Sequence, residues 1–458
     1  MYCARAFLVG ASTIGLLISA ATAGQGCEAP ADGAGASFPL QVQPGERLLE
    51  DADGRPFFLH GDTAWSLIGS LSRDDADLYL QDRQSRGFNT ILVNLIEYKF
   101  AQHAPANAYG DRPFQSAGDY ATPNERYFEH ADWVLRRACE LGLLVMLTPS
   151  YVGYQGGQDG WYQTMLENGG FGMLDYGRFV GRRYGHLDNI VWVHGGDYDP
   201  PDKDLIRALI DGINETDPNA LHTAHGAPET VVEDYWSGEP WLSITNVYTY
   251  GPVHEPAGEQ FRRDGTKPSF LIESAYENEH GADEQRVRMQ AYQAVLSGLS
   301  GHIFGNNPIW HFDGPGLHPT STTWQEELDS PGARSMGVLK ELMSSQDWWL
   351  LEPDLEGSFL VGGAGRAGSR AVAAMAADGS YALVYVPSSR RIALDLGRMG
   401  GNQVAAQWFD PSTGQVAPSE GSPFAPGIRF FGPKRENGSG FRDWVLILSS
   451  PSRLVQSQ

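Results

Sequence analysis

From about residue 39 to residue 350, short apolar runs alternate with amphipathic stretches of helical length. Phe57–Asp62, Thr90–Ile96, Leu143–Thr148 and Ile190–Asp197 read as strands, followed by Leu221–His225, Leu242–Tyr248, Ser269–Glu273 and His302–Asn306. Several of these runs are apolar on both alternating faces, as strands of a parallel sheet covered on two sides must be. Between them the spacing predicts a helix opening at Ser72, with Asp75 three residues on in a near capping box. A second runs from about Asn124 to Leu141, where Phe128, Ala131, Val134, Leu135 and Ala138 keep helical spacing, and others lie around Leu205–Ile213 and Gln285–Leu296. Eight strands alternating with helices predict an α/β fold, a (β/α)8 TIM barrel over residues 39–350.

Past Pro353 the pattern changes to short β-like runs at Ala371–Met375, Tyr381–Val386, Ala405–Phe409 and Trp444–Leu448. Turn pairs such as Asp378-Gly379 and Thr413-Gly414 separate them, so a small all-β sandwich is expected over residues 351–458.

The first 23 residues read as a cleaved signal peptide: Arg5, an apolar run from Phe7 to Ala20, then Ala21-Thr22-Ala23. Residues 24–38 are rich in Gly and Ala and read as a flexible leader. A secreted or periplasmic protein is expected. The apolar run is too short for a membrane span, and no later stretch reaches the ~18 apolar residues that one needs. Cys27 follows Ala23-Gly24-Gln25-Gly26, a poor match to a lipoprotein box, so an ordinary cysteine is preferred over a lipid anchor. Cys139 falls inside a helical pattern, and three cysteines support neither a disulfide framework nor a cysteine metal site.

Composition then narrows the ligand. The formal charge of −23, with no clustered basic face, argues against nucleic acid or an acidic membrane as partner. The 12 Trp and 19 Tyr suit faces that stack on sugar rings, so an oligo- or polysaccharide is the expected partner.

In a parallel barrel the reacting groups sit where strands end at the C-terminal face. Two carboxylates qualify: Asp197 after His194-Gly195-Gly196, and Glu273 at the end of Ser269-Phe270-Leu271-Ile272. A proton donor and a second carboxylate across the sugar are what glycosidic cleavage requires. Asp197 is read as acid/base and Glu273 as nucleophile; Asp199 is the competitor of the first, and Glu277 and Glu279 are those of the second. His60, Asp62, Trp65, Asn94, Trp161, His194, Asn246, Tyr248, Tyr276 and Trp310 are read as the walls of a sugar pocket, with Glu97 nearby. His60, His194 and His225 have no metal-ligand spacing, so no catalytic metal and no cofactor are expected. The absence of a Gly-x-Ser-x-Gly elbow ahead of a barrel helix weakens a serine esterase reading.

The segment Arg55-Pro56-Phe57-Phe58-Leu59-His60-Gly61-Asp62-Thr63-Ala64-Trp65, with Tyr79-Leu80 and Arg86-Gly87-Phe88-Asn89, resembles the opening of the apiosidase-like glycoside hydrolases, long catalogued as a domain of unknown function. The likeness continues through Asn189–Asp197 and Lys267–Glu273 and covers roughly Leu40 to Trp349. The tail Ala405-Ala406-Gln407-Trp408-Phe409-Asp410-Pro411-Ser412-Thr413-Gly414 resembles the β-domain that commonly follows this barrel and is named for collagen binding, a name that is not evidence of collagen binding here. The resemblance implies a retaining mechanism, with Asp197 as acid/base and Glu273 as nucleophile, on apiose-containing units of the pectic polysaccharide rhamnogalacturonan II. It also accounts for Gly-Asp at the end of strand four, where the wider barrel clan has Asn-Glu. The competing classes are a non-catalytic carbohydrate-binding or adhesion protein, and an esterase or metal-dependent hydrolase on the same barrel.

Overall fold

Strands four to six residues long, buried on both faces, can satisfy their backbone only beside one another, and here they close on themselves. The structure is a computed structural model that describes residues 35–263 and 267–450. Its eight-stranded sheet consists of β1 (Leu59–Thr63), β2 (Thr90–Asn94), β3 (Leu144–Thr148), β4 (Ile190–Gly195), β5 (Leu221–His225), β6 (Thr245–Tyr248), β7 (Ser269–Glu273) and β8 (Gly301–Phe304). Neighbours pair in parallel from β5 back through β1 to β8, β7 and β6. Between β5 and β6 the only backbone ladder contact among the described residues is a bridge from His222 to Leu242. Asn246 spans that seam, donating to Thr223 Oγ1 at 2.9 Å and to the Ala224 carbonyl at 2.6 Å.

Helices alternate with the strands. They include α1 (Arg73–Ser85), α2 (Glu125–Glu140), α3 (Tyr162–Tyr184), α4 (Lys203–Asn214), α5 (His254–Phe261), α6 (Glu284–Leu296) and α7 (Pro331–Ser344). Their starts follow capping chemistry: Ser72, Asn124, Asp283 and Ser330 each accept from a backbone N–H of the first turn. α3 is not among the helices that the spacing predicts. Gly169, Gly170 and Gly172 break the apolar periodicity there, and Gly169 kinks the helix at φ 65°.

Strand alternation sorts the core into two layers. Leu59, Leu92, Leu144, Met146, Val191, Val193, Phe270, Ile272 and Ile303 fill the barrel interior. Ile91, Val93, Val145, Leu147 and Trp192 face the helices. Leu40, Leu49 and Phe57, from a small antiparallel sheet of residues 41–57, plug the N-terminal end. Ala36 and Phe38 pack against the same core, so ordered packing begins within the segment read as a leader. The proposed signal peptide and Cys27 lie outside the described residues. Cys139 is disulfide-bonded, which corrects the expectation of no bridge; its partner also lies outside the described residues.

The C-terminal strands are β9 (Leu351–Pro353), β10 (Leu360–Gly362), β11 (Val372–Ala376), β12 (Tyr381–Val386), β13 (Ile392–Asp395), β14 (Ala405–Phe409), β15 (Val416–Pro418), β16 (Ile428–Phe431) and β17 (Trp444–Ser449). They form a six-stranded sheet, β9-β11-β12-β17-β14-β15, and a three-stranded sheet, β10-β13-β16, with an apolar core between them. The outer face of the large sheet packs on α6 and α7. There Arg288 donates to both oxygens of Asp443 at 2.9 and 3.0 Å with both side chains fully buried, and Tyr385 donates to the same carboxylate.

Candidate active site

The residues after β4 leave the strand through three successive positive φ angles: Gly195 at 99°, Gly196 at 129° and Asp197 at 33°. Glycine is needed at the middle position for a second reason. A Cβ on Gly196 would sit 2.2 Å from the ring of Tyr151, which lies flat against the turn. That ring brings its hydroxyl to Asp197, donating to Oδ2 at 2.9 Å. The other oxygen, Oδ1, has no hydrogen-bond partner among the described residues.

His225, the last residue of β5, ties this turn to β7. The Asp197 N–H donates to Nδ1 at 3.2 Å, which puts the ring hydrogen of a neutral imidazole on Nε2, and Nε2–H donates to Glu273 Oε2 at 2.9 Å. Tyr250 donates to Glu273 Oε1 at 3.4 Å, and Tyr276 also hydrogen-bonds to this carboxylate. One ligand-type atom from each of Asp197, His225 and Glu273 lies within 4.8 Å of the others. The two carboxylates therefore face each other across a gap of a few ångströms at the barrel mouth. The same trio is the one set among the described residues with the composition and spacing to hold a metal ion.

Aromatic groups enclose the trio. Trp65 meets His225 edge-on at 5.6 Å between centroids, Tyr248 does so at 5.0 Å, and Trp65 Nε1 donates to the Tyr276 hydroxyl at 3.0 Å. This setting raises the Glu273 carboxyl to about 6: burial is the larger cause, the Asp197 charge adds to it, and the His225 hydrogen bond opposes both. For His225 burial pulls downward, but the hydrogen bond and charge of Glu273, with the charge of Asp197, leave the net direction upward. Burial and the two carboxylates keep the phenols of Tyr151, Tyr248 and Tyr250 protonated, so they act as donors. The Asp197 side chain is 22% exposed and that of Glu273 9%, so the aspartate is the more open to an incoming group.

The expected wall residues divide by strand parity. Trp65, Tyr248 and Tyr276 surround the carboxylates. Asn94 points inward at the end of β2, its Oδ1 unpartnered. Trp310 shares the interior cluster and donates to Glu279 Oε1 at 2.8 Å. Asn246 is also inward, but lies lower and binds the β5–β6 seam. His60, Asp62 and His194 point the other way, which corrects their assignment to the pocket. His60 stacks on Phe88 at 4.8 Å and bonds His302; Asp62 pairs with the buried Arg83 at 3.3 Å and accepts from Tyr79; His194 bonds His222. Trp161 is corrected likewise: its ring packs among Tyr98, Phe114 and Tyr120, and its Nε1 donates to the Ile96 carbonyl.

Of the competing carboxylates, Asp199 caps Ala227 and Thr230, Glu97 accepts three successive backbone N–H groups, and Glu277 anchors Ser330 and Gly332. Tyr151 and Tyr250 were not foreseen, nor was the bridging place of His225. Parity carried the signal for His225, since Leu221 and Thr223 precede it on the inward side.

The model of the "Apiosidase-like, catalytic domain" family matches residues 43–350. The chain belongs to the apiosidase-like family. In this apiosidase-like chain a second model, "Putative collagen-binding domain of a collagenase", matches residues 353–449. Among solved structures, one described as "Glycoside hydrolase" is 26% identical, with a TM-score of 0.79 over 91% of this chain and 97% of its own. A glycoside hydrolase family 5 protein from Bacteroides vulgatus is 24% identical with a TM-score of 0.79, covering 91% and 95%. A family 5 mannosidase from Rhizomucor miehei, 14% identical with a TM-score of 0.51 over 68% and 99%, shares the barrel fold. A comparison with curated proteins found no match.

Proposed function

We propose that this apiosidase-like chain is a secreted or periplasmic retaining glycoside hydrolase, with Glu273 as nucleophile and Asp197 as acid/base. The observation that carries the reading is the opposed pair itself, whose nearest oxygens lie within 4.8 Å of each other. Retaining enzymes hold their carboxyl groups about 5–5.5 Å apart, whereas inverting enzymes leave about 6.5–9.5 Å for a water.

In the first step the Glu273 carboxylate forms a bond to the anomeric carbon as the glycosidic C–O bond breaks, and Asp197 gives its proton to the departing oxygen. In the second, Asp197 takes a proton from water, whose oxygen displaces Glu273 with the anomeric configuration restored. Tyr151 holds Oδ2 of Asp197, so Oδ1 is the oxygen that carries the moving proton. Membership of the family supports apiose-containing side chains of rhamnogalacturonan II as the substrate.

The test compares product release from rhamnogalacturonan II and a panel of plant and bacterial glycans by wild type and Glu273→Ala. Release by wild type alone, with azide restoring a glycosyl azide from the variant, supports the reading. An Asp197→Ala variant should spare substrates with good leaving groups; equal loss on good and poor ones would remove its role as acid. The His-containing trio also favours one second reading, a metal-dependent hydrolase. Loss of activity in a chelator, restored by zinc, would replace the glycosidase mechanism with it.

A further inference from the structure

The loop from β7 to α6 carries a further carboxylate, Glu279, that the proposed mechanism does not use. Its neighbours Asn278, His280 and Gly281 have positive φ, at 70°, 50° and 75°. A residue with a side chain adopts that conformation only at a cost, and such strain collects where a chain aims a functional group. The turn is closed by its own backbone. The Glu279 N–H donates to the Tyr276 carbonyl at 3.1 Å, the Ala282 N–H to the Glu279 carbonyl at 2.8 Å, and the Asn278 N–H to the Ala282 carbonyl at 3.0 Å.

This turn sends the Glu279 side chain inward. Only 15% of it is exposed, and Oε1 accepts from Trp310 Nε1 at 2.8 Å. Trp310 belongs to the same interior cluster as Trp65, Tyr248 and Tyr276. The charge of Glu279 reaches the Tyr250 phenol, as do those of Glu273 and Asp197, so three carboxylates stand around one mouth. Burial holds the Glu279 carboxyl above its ordinary value, against the Trp310 hydrogen bond and the charges of His318 and His280. Oε2 has no hydrogen-bond partner among the described residues; His318 Nε2 stands 3.9 Å away, beyond hydrogen-bond reach. An indole N–H needs only a neutral acceptor such as an amide carbonyl. A largely buried carboxylate with one oxygen unmatched is costly unless a ligand uses that oxygen.

We propose that Glu279 is a specificity-determining residue whose Oε2 accepts a hydroxyl of the sugar bound at the mouth beside Glu273. A carboxylate accepts and does not donate, so it selects a sugar with a free hydroxyl there over one that carries an ether or ester. The assignment rests on the glycoside hydrolase reading and gives Glu279 a part in binding, not in the bond-making steps.

The test is steady-state kinetics of wild type, Glu279→Gln and Glu279→Asp on the glycan that wild type cleaves in the panel. Calorimetry of the same glycan on Glu273→Ala and on Glu273→Ala/Glu279→Gln measures binding without turnover. Glutamine keeps a carbonyl for Trp310 but sets an amide donor where Oε2 was, and aspartate keeps the charge but withdraws it by a methylene. In both variants KM should rise about tenfold or more with kcat within about threefold of wild type, and binding to the double variant should weaken by the same factor as KM rises in Glu279→Gln. A wild-type KM in Glu279→Gln would reduce the carboxylate to a prop for Trp310 and overturn the proposal. A kcat loss of about a thousandfold or more in Glu279→Gln would overturn it too, by making Glu279 one of the reacting groups. Cleavage that persists with KM unchanged removes this assignment alone, whereas a wild type that neither cleaves nor binds any glycan removes the hydrolase reading and this assignment with it.

Discussion

His225 is the residue whose removal should test the site most directly, because it touches both halves. In His225→Ala, Glu273 Oε2 loses its 2.9 Å donor and the Asp197 N–H loses its acceptor. A hydrogen bond to a buried charged group contributes about 1.5–3 kcal/mol. Since one pKa unit corresponds to ~1.36 kcal/mol, losing that bond should raise Glu273 by about one to two units. The sign follows from the nucleophile's charge state. In the proposed mechanism Glu273 attacks as a carboxylate, so activity should rise with pH through its pKa, which burial and Asp197 have already pushed up to about 6. In the variant the acid limb of kcat/KM should therefore move to higher pH by about one to two units, with a loss of roughly 5- to 50-fold at pH 6, where the wild-type group is about half ionised. His225→Gln, which keeps a donor, should recover part of the shift. The assay is the pH profile of kcat/KM on the substrate found in the glycan panel. An acid limb that stays in place, with the same fractional loss at every pH, would refute the argument that His225 sustains the Glu273 charge.

Three further outcomes follow from the same geometry. Tyr151→Phe removes the donor to Asp197 Oδ2; kcat on poor leaving groups should fall about tenfold with KM little changed, read by comparing aryl and alkyl glycosides of the same sugar. Asp62→Ala should leave kcat nearly intact but cost about 1–3 kcal/mol in denaturant unfolding, because the buried Arg83 and Tyr79 lose an acceptor while Arg83 keeps Asp82 and the Leu328 carbonyl. Asp443→Ala should cost more, about 3 kcal/mol, because it removes the bidentate partner of the buried Arg288 and leaves it, among the described carboxylates, only Glu284 at 3.8 Å, and calorimetry should then show the two domains melting apart.

Much of the fold was legible because a parallel strand covered on both faces favours apolar residues throughout, a property that Leu143–Thr148 has almost in full and that Leu221–His225, with two histidines, does not. The sandwich was legible through its turn pairs, since Asp378-Gly379 and Thr413-Gly414 interrupt runs too short for helices. α3 was hidden because its glycines answer to packing rather than to periodicity: a Cβ on Gly177 would meet the Leu209 carbonyl oxygen at 2.1 Å, so they let α3 lie against α4.

The pocket was harder to read than the barrel, for a reason visible in β1 and β4. Polar residues near a strand end were taken together, yet alternate positions face opposite layers. Leu59 is inward, so His60 must face the helices, and Asp62 lies on the same outward side, where Arg83 of α1 meets it. Val193 is inward, so His194 is outward and meets His222. Asp197 keeps the inward parity of Val193, but Gly195 and Gly196 turn the chain through positive φ before it, so Tyr151 and His225 rather than the strand alone aim its carboxyl. Glu273 is the carboxylate that counting along a strand misses: Phe270 and Ile272 are inward, and the shift of register between Leu271 and Glu273 brings its carboxyl to the barrel mouth beside His225.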